Sequence, residues 1–219
     1  MTPSTVNEKA TFESLLSDLG DLYQADRGET IYHPGTPSKS VYFVAKGRVK
    51  LAYLDESGKK LTLTIVDAGE IFGEMCLVGE KHRRHLATAI EETAVRCIPI
   101  REFYSVVNQE PEFLQLLVNH FAYRMREFEE TLEDLAFRDI QARLSRQLLK
   151  LSDEYGVETK EGILIGFPVT HKELADMIGS ARENTTLALN RFEREGILNK
   201  SRYRIVIKNE AGLRKKIHV

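Results

Sequence analysis

Arg182, Glu183, Asn184, Thr185 and Thr186 follow one another without a gap. An arginine fork can donate to O6 and N7 of one guanine, and a carboxylate can accept from a cytosine amino group. Each good bidentate pair discriminates between bases by roughly 1–3 kcal/mol. A solvated helix start can carry the same residue types, so the surrounding spacing has to decide. Upstream, Thr170-His171-Lys172-Glu173 has the Thr-x-x-Glu form of a capping box and opens a short helix. Leu174, Ala175 and Ile178 fall on its inner side, and Ala175 is small where a second helix would cross closely. Gly179 can take the left-handed conformation that ends a helix. Ser180-Ala181-Arg182-Glu183 then repeats the capping pattern and starts a second helix, expected to bury Leu187, Leu189 and Phe192 before Gly196. Two capped helices joined by a glycine turn make a helix-turn-helix, whose second helix enters the DNA major groove N-terminus first. On this reading Thr170, His171, Lys172 and Ser180 lie at helix starts near phosphates. Residues 199–204 form the turn and second strand of a basic wing, with Lys200 and Arg202 gripping the backbone.

Other chemistry is poorly supported. There is no phosphate-loop glycine pattern, nucleophile elbow or zinc-type spacing, and His171-Lys172-Glu173 is not followed by a second histidine where a metal helix needs one. The reading is therefore a non-enzyme. An iron–sulfur cluster needs about four cysteine ligands, whereas the chain has only Cys76 and Cys97. A module that binds a small ligand without touching DNA is the competing class, and the basic wing argues against it. The 219 residues are 42% apolar and 29% charged, with a net charge of −2. That balance hides an asymmetry: 15 Lys/Arg stand against 11 Asp/Glu from Asp139 onward, and 16 against 22 before it. A basic C-terminal part beside an acidic N-terminal part suits a polyanionic partner such as double-stranded DNA. No apolar run reaches the roughly 20 residues of a membrane span. No secretion signal is visible at the N-terminus, so a cytoplasmic location, reduced thiols and no membrane partner are expected.

The elements that position these groups are also legible. Residues 11–19 read as a helix. Alternation in 49–54 and 61–65 around Asp55-Glu56-Ser57-Gly58 predicts a hairpin, and further short strands are expected at 31–33, 41–46, 86–90 and 94–98. Many short strands with glycine turns predict an antiparallel sandwich or barrel such as a jelly roll. Pro111 opens a long helix reaching about Leu135. Leu114, Leu117, Phe121, Arg124, Phe128, Thr131 and Leu135 recur on it at steps of three and four, the seam of a coiled coil with two polar members. Val118, Ala122, Met125 and Leu132 form an adjacent stripe. A homodimer through Leu114, Leu117, Phe121, Arg124, Phe128 and Leu135 is expected, Arg124 requiring an anion if buried. A further helix, 140–155, ends at Gly156. The fold class is α+β: an N-terminal antiparallel jelly roll (1–110), a dimerisation helix (111–138) and a C-terminal winged helix (139–219).

Over nearly its full length the chain resembles the cyclic-AMP receptor/FNR (CRP/FNR) family of bacterial regulators. The resemblance rests on the strand-rich first half, Phe72-Gly73-Glu74, the helix ending Leu135-Ala136-Phe137-Arg138-Asp139, and Ile178-Gly179-Ser180-Ala181-Arg182-Glu183. It implies a cyclic-nucleotide-binding jelly roll, a dimerising helix, a winged helix whose orientation responds to ligand, and RNA polymerase as a further partner. It departs in two places. The family usually has Arg-Glu-Thr-Val-x-Arg, and the last position here is Leu187. In the effector site Gly73-Glu74, followed by Met75, fits the phosphate-holding Gly-Glu, but the later Arg-Ser aligns with Arg83-Arg84. The adenine-contacting Thr-Ser falls at Phe128-Glu129. The expected effector is therefore a small anion other than cyclic AMP, held by Gly73, Glu74, Met75, Arg83, Arg84, Arg124 and Phe128. Arg124 matches an arginine of 2-oxoglutarate-responsive relatives, which points to a dicarboxylate. A regulator with no ligand, and haem or redox sensing through Cys76, His82 or His85, are the alternatives.

Overall fold

The computed structural model describes residues 3–217, with side chains described from residue 10 to residue 217. In chain order it contains α1 (Pro3–Leu16), β1 (Asp21–Ala25), β2 (Thr30–Tyr32), β3 (Ser40–Lys46), β4 (Arg48–Leu54), β5 (Lys60–Asp67), β6 (Ile71–Phe72), a 3₁₀ turn (Glu74–Val78), β7 (Leu86–Ala89) and β8 (Thr93–Pro99). Then follow α2 (Ile100–Gln109), α3 (Pro111–Phe137), α4 (Ile140–Tyr155), β9 (Gly156–Thr159), β10 (Gly162–Ile165), α5 (His171–Met177), α6 (Arg182–Arg194), β11 (Leu198–Ser201), β12 (Arg204–Ile207) and α7 (Glu210–Ile217). The chain forms two compact units that divide between Arg126 and Glu127, within α3.

The first unit holds two four-stranded antiparallel sheets, ordered β1-β8-β3-β6 and β2-β7-β4-β5. Strand periodicity of two explains how one strand serves two cores. On β3, Val44 joins Tyr32, Val49, Leu51, Val66, Phe72, Ala87 and Val95, a cluster drawn from both sheets. Val41 and Phe43 face the other way and pack with Phe12 and Leu16 of α1, Phe103 of α2, and Phe113 and Leu117 of α3. This is the expected jelly roll. The first helix is longer than expected, starting at Pro3, and α2 was not foreseen. Its ten residues do carry an apolar stripe at helical spacing, with Phe103 buried and Ile100, Val106 and Val107 packed against the core.

Leu117, expected on the seam, is 4% exposed and packs in its own unit's core, which leaves little of its side chain for another chain to touch. The same helix leaves Leu114, Val118, Phe121, Met125, Phe128, Leu132 and Leu135 exposed, at strict steps of four and three. Phe113, Leu117, His120, Arg124, Glu127, Thr131 and Asp134 make up the covered or half-covered face. The exposed apolar stripe is therefore offset by one position from the expected seam: Arg124 and Thr131 lie on the other face, and Val118, Met125 and Leu132 lie on the stripe.

In the second unit β9, β10, β12 and β11 form an antiparallel sheet. The end of α3 is joined to α4 by charge. Arg146 pairs with Glu130 at 3.6 Å and Asp134 at 3.1 Å, and Lys150 pairs with Glu127. Asp139 caps α4, accepting from the Ala142 amide at 2.8 Å. Leu144, Leu148, Leu149 and Leu151 fill the core beneath. Among the described residues no helix is long and apolar enough to cross a membrane.

His120 lies between Phe12 and Phe121 with its Nε2 buried and unpartnered among the described residues. Burial, helped by the Arg124 cation, pushes its imidazole down to about 3, against roughly 6.5 for an unfolded chain. Between these values only the unfolded chain takes up the proton, so this contribution to stability is complete above about pH 6.5 and is lost as pH falls toward 3. His120→Leu should therefore flatten the fall in denaturation midpoint between pH 7 and pH 5. An unchanged slope would place the acid sensitivity elsewhere.

Candidate nucleic-acid interface and effector site

Helix α5 starts as expected. The Thr170 hydroxyl accepts from the Glu173 amide at 3.1 Å, and a Glu173 carboxylate oxygen accepts from the Thr170 amide at 2.8 Å. This reciprocal box satisfies two amide groups that a helix start leaves without partners. Leu174, Ala175 and Ile178 are buried beneath it. Gly179 has φ +60°, the left-handed backbone that redirects the chain toward α6.

The second capping box does not form. Helix α6 is capped by Ala181, with no side-chain cap. Ser180, expected near a phosphate, is buried, and its hydroxyl bonds weakly to the Ala181 carbonyl at 3.4 Å. Thr185 is also corrected. It is 0% exposed and its hydroxyl donates to the Ala181 carbonyl at 3.1 Å, one turn back. With Ala188, Leu189 and Phe192 it forms the buried face of α6.

The opposite face is open. Arg182, Glu183 and Asn184 are exposed, and their side chains have no hydrogen bond or ion pair among the described residues. Glu183 sits in the first turn, where the helix dipole favours its negative charge. Thr186 is half-buried, and its hydroxyl lies 3.1 Å from Nδ1 of His171 at the start of α5. Burial first, then Lys200 and Arg182, lower the His171 pKa, which favours the neutral ring. Lys172 is exposed, its ammonium 2.6 Å from the buried Asp176. Leu187, expected inside, is 66% exposed on the same face as Glu183 and Asn190. Asn190, exposed on that face, was not foreseen, whereas Arg204, expected in the wing, is exposed on β12. Extending the i, i+4, i+7 series from Glu183 would have found Asn190.

The wing is β11, a turn at Arg202-Tyr203 and β12. Arg202 is exposed at the tip, 5.2 Å from the Tyr203 ring centroid. Lys200 is turned inward: its ammonium lies 3.0 Å from Glu193, and its side chain is 16% exposed. It ties the wing to α6 rather than reaching outward.

In the first unit, Gly73 has φ +75° and precedes the 3₁₀ turn that carries Glu74 and Met75, both half-buried. Arg83 departs from its expected part as an open anion hook. It is 6% exposed, and it donates to the Gly73 and Ser40 carbonyls at 2.6 Å each. The guanidinium carbon lies 4.7 Å from the Tyr32 ring centroid and 5.1 Å from that of Tyr42. A Cβ at residue 73 would come within 2.5 Å of this guanidinium, so glycine is needed here for space as well as for φ. Arg84 points to Glu80 at 3.6 Å, largely exposed. His85, beside Tyr53, has its pKa lowered by burial and then by Arg84 and Arg124, so positive charge from two elements converges on it. Phe128 belongs to the exposed stripe of α3. Cys76 is buried with its thiol pushed up, chiefly by burial, which is the opposite of a reactive thiolate.

Arg83→Ala would leave two carbonyls without their donor and should destabilise the first unit by about 2–4 kcal/mol. Arg84→Ala should change stability by less than about 0.5 kcal/mol. Equal midpoints in denaturant for the two variants would show that Arg83 does not hold the roll together.

Comparison with known proteins agrees with this layout. The cyclic nucleotide-binding domain family matches residues 23–110, and the Crp-like helix-turn-helix domain family matches residues 142–216. The chain is 34% identical over 189 residues to the transcriptional regulator SdrP of Thermus thermophilus, covering 85% of this chain and 89% of that protein. It is 30% identical over 190 residues to the global nitrogen regulator of Synechocystis sp., covering 86% and 84%. A solved CRP/FNR-family transcriptional regulator from Thermus thermophilus superimposes with a TM-score of 0.77 at 30% identity, over 91% of this chain and 99% of that one. With the roll, the helix-turn-helix and these relatives in agreement, the chain belongs to the CRP/FNR family of transcriptional regulators and carries their helix-turn-helix DNA-binding domain.

Proposed function

We infer that this regulator binds pseudopalindromic duplex DNA as a homodimer, with α6 of each copy entering successive major grooves about one helical turn apart. One observation carries the reading. Helix α6 is sealed on one side by Thr185, Ala188, Leu189 and Phe192, while Arg182, Glu183 and Asn184 stand exposed and unbonded at its leading end. Arg182 forks onto a guanine, Glu183 accepts from a cytosine, and Lys172, His171, Thr170 and Arg202 meet phosphates. Residues 1–110 act as the sensor, 111–138 as the dimerisation helix and 139–219 as the DNA-binding domain. RNA polymerase is the partner through which such a regulator acts on transcription. Arg182→Ala should remove sequence-specific binding while leaving the dimer intact. A footprint on the selected site that survived this change would remove α6 as the reader.

The dimer is supported by the exposed stripe Leu114, Val118, Phe121, Met125, Phe128, Leu132 and Leu135 on α3. Its strict heptad spacing is that of a two-helix seam. A charge at its centre would have to be buried against its own copy in the partner. Met125→Glu and Phe121→Asp should therefore give monomers in sedimentation, whereas Arg124→Ala should leave the dimer. Loss of the dimer in the Arg124 variant alone would restore the alternative register.

For the effector we favour a small anion other than cyclic AMP. Arg84 and Arg124 bring positive charge together around His85 in the first unit, and Arg83 holds the surrounding strands. A dicarboxylate such as 2-oxoglutarate fits this charge better than a purine nucleotide does. In calorimetry 2-oxoglutarate should bind the parent protein and lose affinity in Arg124→Ala. Tighter binding of cyclic AMP than of the dicarboxylate would reverse the assignment.

A further inference from the structure

The open face of α6 contains one residue that cannot form a polar contact. Leu187 is 66% exposed in the middle of the helix, one turn beyond Glu183 and one turn before Arg191. Its neighbours on this face, Glu183, Thr186 and Asn190, are polar. The buried face takes Thr185, Ala188 and Leu189 on either side of it in sequence, so rotation of the helix could not hide Leu187 without exposing Leu189. A single exposed leucine is ordinary on a surface. Here it occupies the surface assigned to the major groove.

We propose that Leu187 is a specificity-determining residue that reads a thymine through its C5-methyl group. The proposal rests on α6 being the reading helix. Among the base edges in the major groove, the thymine methyl is the apolar one. A leucine pressed against guanine would take water from O6 and N7 without replacing the hydrogen bonds, and against adenine it would do the same to N7 and the amino group. Against thymine it buries methyl on methyl. Four residues of helix advance roughly 6 Å, so the thymine lies within about two base pairs of the pair addressed by Arg182 and Glu183. The site is then mixed in character: a charged, hydrogen-bonding reading at the helix tip and an apolar reading one turn further in.

The test starts with the full-length protein and a site selected from random duplexes. Each thymine in one half-site is replaced in turn by deoxyuridine, which removes the methyl and leaves base pairing unchanged. At one position the parent protein should lose about fourfold in affinity, the burial of one methyl group converted to a binding ratio. Leu187→Ala should bind the thymine site more weakly and show no further loss with uracil at that position, while responses at other thymines persist. Leu187→Met should retain the response. A scan identical in the parent and the Leu187→Ala protein overturns the proposal. Arg182→Ala separates the two levels: if it abolishes specific binding while the uracil scans stay identical, only the role of Leu187 fails. If Arg182→Ala still binds its site, or no site can be selected, α6 is not the reader and both readings fall.

Discussion

A helix can present a fixed set of side chains to a ligand only if its other side is held, and this constraint governs the DNA-binding unit. Thirteen residues of α6 have little stability of their own in water. Burial of Ala188, Leu189 and Phe192 supplies it, and the Thr185 hydroxyl closes on its own helix's first carbonyl. The other contacts reinforce the same orientation. His171 meets Thr186 between the two helices, and Lys200 holds Glu193 between wing and helix. Residues that sequence chemistry alone would send to DNA are thus partly used to aim the ones that can go.

The same division of faces appears on α3, with different chemistry along its length. Near its start the covered face is apolar, with Phe113 and Leu117 in the core. Near its end that face is ionic, with Glu127, Glu130 and Asp134 meeting Lys150 and Arg146. Such pairs add little energy when exposed, but their geometry restricts how the helices can pack. The apolar residues one step round the helix are left exposed, and that is the physical case for a second copy.

In the first unit Arg83 shows how a residue matched to ligand binding can serve the protein itself. Its donors take the Gly73 and Ser40 carbonyls, and its plane lies near two tyrosine rings. Arginine is suited to this because its fork can bond and stack at once. Arg84 and Arg124 place further positive charge nearby, around His85.

Local pattern was enough for the hairpins, the long helix, the paired helices around Gly179 and the capping of α5, because caps, glycine turns and periodicity act over a few residues. It also sufficed to place Arg182, Glu183 and Asn184 exposed at a helix start. Tertiary structure decided which face of each helix is covered. The apolar stripes of α3 admit two registers one position apart, and only the core around Phe12 and Phe113 shows that Leu117 belongs inside. Thr185 and Leu187 exchanged places for the same reason: composition sends leucine inward and threonine outward, whereas the helix's fixed 100° per residue, once Leu189 and Phe192 are anchored, turns Thr185 in and Leu187 out. The partner of Arg83, a backbone carbonyl more than forty residues away at Ser40, has no local signature at all.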